Sequence, residues 1–345
     1  MRYDRHGFPI PAEFDGPSRS DRDAFPPSRD GRREEPLGPD AAGGGRERPV
    51  AVQRGEPSSG GAGRPAAGRW KRWLLLAVML GGVVPALLIP QVLPLVREAV
   101  VQWSLDRAAE HEAKGEIAAA VRDVGRAVLW HGENAELLCM RSMLRLEDRD
   151  AAGALEDAVR AATLAPTAVQ PWRVRALVSV VLDDADAALA AADMVVDLSA
   201  AGDPDALNHR AYIRALVGRD LPAALADIDR AIGPDGQAGG TETASAEMLD
   251  TRGFLLHLLG RHREAVDQLN QAITGMQQNR RKLGLLAGRV DPVQLACRLR
   301  AVDHGLAVMF HHRAQACREA GLAEQARQDL ELAGKKGFDP SRGIF

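Results

Sequence analysis

The residues that most invite a chemical reading are four histidines, His257, His262, His311 and His312. Neutral imidazoles are common metal ligands and proton shuttles. Adjacent helical positions point about 100° apart, so His311 and His312 cannot easily hold one ion together. No HExxH spacing occurs. The acidic run Asp183-Asp184-Ala185-Asp186 lacks the spacing, glycine and closing glutamate of a calcium loop. It reads instead as a solvated turn whose carboxylates cap the following helix. Three cysteines, Cys139, Cys297 and Cys317, form no CxxC pair. Their spacing argues against a disulfide framework, and their odd number leaves at least one thiol free, which reads as a small buried apolar residue. Neither a GxxxxGK[ST] phosphate loop nor a GxGxxG turn after a strand is present. These absences predict a protein that is not an enzyme and needs no cofactor or metal.

The elements that position these residues come from a repeated pattern. Small residues at Ala154, Ala158 and Ala161 precede Pro166. The triplet recurs 34 residues upstream as Ala120, Val124, Ala127 and 34 downstream as Ala188, Ala192, Val195. It returns as Ala224, Ile228, Ala231, then Ala265, Leu269, Ala272, then Ala326, Leu330, Ala333. Offsets of four and three share one helix face, and small side chains there let neighbouring helices approach closely. The preceding helix of each pair carries its own small residue, as at Ser142, Ala211, Gly253 and Ala314. Turns fall between the two, at Lys114-Gly115-Glu116, Asp148-Arg149-Asp150, Gly218-Arg219-Asp220, Leu259-Gly260-Arg261 and Ala320-Gly321-Leu322.

Self-similarity near this period, with small residues at fixed places, resembles the tetratricopeptide repeat (TPR) family over most of residues 99–340. The expected fold is all-α: a TPR-like solenoid of about six helical hairpins, preceded by a disordered tail and one transmembrane helix. The repeats are placed near 101–134, 135–168, 169–202, 203–237, 246–279 and 307–340. A helical insertion near 280–306 is expected to give a projecting or extended helical pair. A Gly/Ser/Thr loop from Gly233 to Ser245 separates repeats four and five. The resemblance implies binding of an extended peptide or helix on the concave face lined by the first helix of each hairpin. By register that face carries Glu136, Cys139, Met143, Arg173, Leu177, Asn208, Tyr212, Asp250, Phe254, His257, His311, Gln315 and Arg318. The family's carboxylate clamp of Lys, Asn and Arg is not carried over, because its lysines are missing from repeats two to six.

Ahead of the repeats the chain changes character twice. Residues 1–69 hold 10 Pro, 12 Gly, and 12 Arg against 11 Asp plus Glu. Too few apolar groups are present to offset the entropy of ordering, which predicts a disordered tail. From Leu74 to Val96 the only clearly polar side chain is Gln91. As a helix this run spans roughly 34 Å, enough for the ~30 Å hydrocarbon layer of a bilayer. Trp70 and Trp73 stand where interfacial aromatics belong, and Arg64, Arg69, Lys71 and Arg72 flank the front. A single-pass anchor over 70–97 is expected, with the N-terminus cytoplasmic and the 98–340 solenoid on the periplasmic or luminal side. Pro85, Pro90 and Pro94 predict that its far half kinks or ends early.

The net charge of −3 gives no reason to expect nucleic acid. The expected partner is a protein, reached from the membrane. The alternative is an assembly subunit that forms a homo-oligomer through the extended 264–319 helices and the uncapped C-terminal repeat.

Overall fold

The computed structural model describes residues 2–3, 9–10, 69–233, 237–238, 242–243 and 245–339. The tail expected over 1–69 and the loop expected over 233–245 lie largely outside these residues. What is described there is two short antiparallel pairings, Arg2–Tyr3 with Pro9–Ile10 and Gln237–Ala238 with Glu242–Thr243. The chain divides into two compact units, Met1–Leu88 and Ile89–Phe345.

In the first unit, α1 (Arg69–Val78) runs into a π-helical turn, Met79–Val83. There the Val84 N–H reaches back five residues to the Met79 carbonyl. Helix α2 (Val84–Ala113) then carries Pro90 and Pro94 in its interior. Of the kink or early end that the prolines predicted, the early end does not occur: the helix runs on through Pro90 and Pro94, although neither can donate a ladder bond. The apolar side chains described between Leu74 and Val96 are exposed, apart from half-buried Val84. Among the described residues, Trp70–Ala113 is the one helix long and apolar enough to cross a membrane.

The second unit is an all-α solenoid of six hairpins, as expected. The last turns of α2 pair in sequence with α3 (Ile117–His131). The next two pairs are α4 (Ala135–Glu147) with α5 (Ala151–Leu164) and α6 (Val169–Val181) with α7 (Ala185–Leu198). They are followed by α8 (Pro204–Val217) with α9 (Leu221–Ile232) and α10 (Ala246–Leu258) with α11 (His262–Gly284). The series ends with α12 (Pro292–Glu319) and α13 (Ala323–Lys335). All fifteen residues of the first five triplets are fully buried, at 0% exposure. Ala326 and Ala333 of the sixth are buried as well, but Leu330 between them is 50% exposed. In the earlier hairpins that position is covered by the next helix pair, and among the described residues no helix follows α13.

The first-helix partners of the triplets are buried for the same reason. Ser142 Oγ donates to the Ala154 carbonyl at 2.7 Å, and a Cβ built on Gly253 would lie 2.6 Å from Leu269 Cγ. Only hydrogen fits there, so α10 and α11 can cross at closest approach. The turns recur too. Gly115, Arg149, Asp183, Gly218, Gly260 and Gly321 all take positive φ just past a first helix. At Arg149 and Asp183 a side chain accepts the left-handed conformation that glycine takes freely. Asp150 and Asp184 then cap the next helix, accepting from the N–H of Gly153 at 2.9 Å and Ala187 at 3.0 Å. The acidic run at 183–186 is therefore the capping turn that its sequence suggested.

The insertion gives an extended helical pair rather than a projecting one. Helices α11 and α12 are indeed long, at 23 and 28 residues. The first half of α12 does not project; it folds back on the start of the solenoid. Cys297 Sγ donates to the Ala109 carbonyl at 3.4 Å, and Arg300 Nη1 to the Glu112 carbonyl at 3.1 Å. Arg300 also pairs with the Glu147 carboxylate. Burying Leu295 and Cys297 is worth more than leaving an apolar helix face in water.

Candidate functional site

The first helices of successive hairpins lie side by side, α4 with α6, α6 with α8, α8 with α10, and α10 with α12. They place the register-derived residues along one surface, but not all of these are open on it. Glu136 and Arg318 are exposed. Arg173, Asn208, Tyr212, His257, His311 and Gln315 are half-buried, as are Met143 and Leu177. Cys139, Asp250 and Phe254 are buried. Burial pushes the Cys139 thiol up to about 12, helped by Glu136 and Asp157, so at neutral pH it is no nucleophile.

Asp250 and Phe254 are covered by His312. The Phe254 and His312 rings stack at 4.1 Å with 9° between their planes. His312 Nδ1 lies 3.1 Å from both carboxylate oxygens of Asp250. A carboxylate only accepts, so Nδ1 carries the proton. This buried group ties α12 to α10 and leaves His312 out of the groove. His311 faces the other way. Its Nε2 lies 3.1 Å from the Gln315 amide nitrogen and its ring packs 4.6 Å from Phe338. The amide can only donate there, so the His311 proton sits on Nδ1, which is buried without a partner. Burial, with His312 and Arg318 nearby, pushes His311 down to about 4. His257 and His262 approach at 3.1 Å between their Nδ1 atoms, and burial lowers His257.

A second polar group lies on α6 and α8. Arg173 Nε, Asn208 Oδ1 and His209 Nε2 are each buried with no hydrogen-bond partner. Burial first, and Arg173 second, push His209 down to about 3. Enclosure, with Asp250 near, pushes the Tyr212 phenol up. Polar atoms of this kind are costly to leave unpaired. Sequence reasoning missed His209; its signal was a histidine beside Asn208 on a first helix, and the register alone did not show that its ring is enclosed.

The His209 ring gives acid sensitivity of a defined sign. The unfolded chain takes up its proton near the ordinary 6.5, the folded chain only near about 3. Stability from this group is therefore complete above pH 6.5 and is lost as pH falls toward 3. His209→Gln is expected to flatten the fall of melting temperature as pH drops from 6.5 toward 3, leaving the smaller slope from His311. Identical slopes for variant and parent would refute the enclosed, neutral imidazole.

The sequence also hid a recurring ion pair within the hairpins. Arg141 grips Asp157 with two bonds at 2.8 and 2.6 Å, and Arg145 adds a third at 2.9 Å. Arg210 and Arg214 hold Asp227 in the same way, all at 2.8 Å. Arg313 holds Asp329 at 2.8 and 2.6 Å. Asp123 of the first hairpin meets Arg126 at 2.6 Å and Arg107 at 3.6 Å. In the third hairpin Ala191 stands in place of the aspartate, and Arg175 lies over the Trp172 ring instead.

Among the described residues no group of three or more His, Cys, Asp or Glu could hold a metal ion. Two open depressions lie at inter-helix turns, one beside Gly260–Glu264 and one beside Gly115–Ala119, away from the polar group on α6 and α8.

No family model and no curated protein matches the chain. Solved structures that resemble it include a tetratricopeptide repeat protein from Parabacteroides merdae. That alignment is 16% identical and covers 70% of this chain and 95% of that one, with a TM-score of 0.41. A thermophilic TPR protein of Thermus thermophilus is 18% identical over 59% of this chain and 98% of its own, at a TM-score of 0.44. YrrB, a TPR protein with an unusual peptide-binding site, is 15% identical over 64% and 94%, at a TM-score of 0.32. These likenesses carry no argument at such scores. The helical-hairpin solenoid rests on the chain's own helix order and buried triplets.

Proposed function

We propose that this chain is a membrane-anchored interaction scaffold that binds a helix or extended peptide of a protein partner on the concave face of its solenoid. The observation that carries the reading is the set of unpartnered, buried polar atoms on the adjacent helices α6 and α8, from Arg173, Asn208 and His209. Once a side-chain rotation uncovers them, two donors-or-acceptors on one helix beside a guanidinium on the next can take both the N–H and the C=O of a peptide backbone. The remaining face residues, Glu136, Tyr212, His257, His311, Gln315 and Arg318, then extend the contact along the groove. Asp250 and Phe254 act from beneath, by holding α10 and α12 together. Anchoring is through Leu74–Val96, with the tail cytoplasmic and the repeats across the membrane.

A photo-crosslinking residue at Asn208 is expected to trap one protein partner in cells, whereas the same residue at exposed Thr163 traps none. Arg173→Ala should cut the yield about tenfold, the loss of one charged interface contact. Equal trapping at both positions would sink the groove reading. For orientation, Ser59→Cys should resist an impermeant thiol reagent in intact cells and react after permeabilisation.

The second reading is an assembly subunit. It is favoured by Leu322, Leu330 and Leu332, which leave an apolar strip exposed on and beside α13. Light scattering on the detergent-solubilised full chain separates the two: a monomer supports the scaffold, a stable dimer supports assembly.

A further inference from the structure

The fold-back of α12 has a second consequence at the concave face itself. Ala109 lies one 34-residue period before Met143, a register position on that face. Cys297 and Arg300 therefore sit on the inner surface of the first hairpin, 188 residues away in sequence. The chemistry of the contact is specific. Helix α2 ends at Ala113 and α4 at Glu147, so both present the partially negative carbonyl end of a helix at this point. Arg300 brings one guanidinium to the two ends together, with a hydrogen bond to the Glu112 carbonyl and an ion pair to Glu147. Beside it, the Cys297 thiol rests on the Ala109 carbonyl, and Leu295 is buried two residues earlier.

The segment is also braced from behind. Arg280 of α11 holds Asp303 with bonds of 2.7 and 3.0 Å, and Lys336 reaches the same carboxylate. Arg149, in the turn of the second hairpin, lies 3.6 Å from Asp339, which ties the C-terminal end to the same region. Burial raises the Glu112 carboxyl, and Arg300 stands as its opposing charge.

We infer that residues 292–304 of α12 are a helix held in cis on the concave face of the first two hairpins, so that this end of the groove is filled by the chain itself. An outside helix gains the site only by displacing it, and must offer the same chemistry: small apolar side chains with a guanidinium three residues on. Glu136, at the other end of α4, stays exposed, and the unpartnered atoms of Arg173, Asn208 and His209 lie further along on α6 and α8. This inference rests on the concave-face reading for its consequence. The contact itself is tested separately.

Hydrogen exchange on the detergent-solubilised full chain provides that test. Arg300→Glu is expected to speed exchange across 294–303 about tenfold, the effect of losing a charge-assisted bond. Exchange across 306–319 should stay unchanged, and Arg300→Lys should fall between variant and parent. Unchanged exchange in the first half of α12, or equal acceleration across its whole length, would overturn the cis contact. A synthetic peptide of residues 291–307 is expected to bind the Arg300→Glu protein at least about tenfold more tightly than the parent. Equal binding to both, or to neither, would overturn the displacement. Loss of the partner crosslink at Asn208 with exchange as expected would instead sink only the groove reading.

Discussion

Replacing Ala154 by glutamate is expected to unfold the second hairpin and lower the melting temperature of the whole chain. Ala154 is fully buried where α5 crosses α4, and its carbonyl accepts the Ser142 hydroxyl. A carboxylate there has no open route to water. The arginines on α4, Arg141 and Arg145, are already committed to Asp157. A buried charge without a partner costs about 3–5 kcal/mol. In a solenoid each hairpin is stabilised by its neighbours, so the loss passes to the hairpins on either side. Circular dichroism melts of Ala154→Glu and of Ala152→Glu, an exposed control two residues away, decide the matter. The control should stay within about 0.5 kcal/mol of the parent. A melt for Ala154→Glu that matches the parent would refute the register of the buried triplets.

The second large effect is expected at Asp227. Its carboxylate is buried and accepts from both Arg210 and Arg214, whose own side chains are 18% and 16% exposed. Removing it in Asp227→Ala leaves two guanidinium groups facing each other without a buried counterion. The expected cost is about 3 kcal/mol, at the lower end for a broken buried pair. Arg210 retains Asp193 at 3.3 Å, which is half exposed and so screened by water. Exchanging all three residues for apolar ones of similar volume, Asp227→Leu with Arg210→Met and Arg214→Leu, should recover most of the loss. The third hairpin, which has Ala191 at the equivalent place, already stands without the pair. If Asp227→Ala melted with the parent, the ion pair would be a passenger of the hairpin rather than one of its ties.

How much of this was legible beforehand differs between the hairpins and what joins them. The triplets could be read because a helix face is a local property: offsets of four and three define it wherever the helix packs. The turn residues were equally plain, since a left-handed turn selects Gly or tolerates Asp and Arg by backbone geometry alone. The Arg–Asp pairs were written in the same repeat register but went unnoticed, because charged residues on a helix usually belong to water. Leu330 shows the limit from the other side. It carries the triplet signature, yet it is exposed, because burial also requires a neighbouring helix, and among the described residues none follows α13.

The candidate site followed the same division. Arg173, Asn208 and Tyr212 were placed by register, and they do lie on adjacent first helices. Asp250 and Phe254 were placed by the same rule, but they are sealed under His312, 62 residues distant from Asp250 in sequence. The proline-rich apolar helix gave its length and composition directly from sequence.

By itself, the sequence determined the repeating unit: which helices form, which faces they bury, and where each hairpin turns. Tertiary structure alone decided that α12 returns to the first hairpin, that His312 closes over Phe254, and which groove atoms are left unpaired. The physical reason is range. Periodicity encodes contacts between neighbours a few tens of residues apart, whereas a contact across 188 residues depends on the summed curvature of every hairpin between its ends.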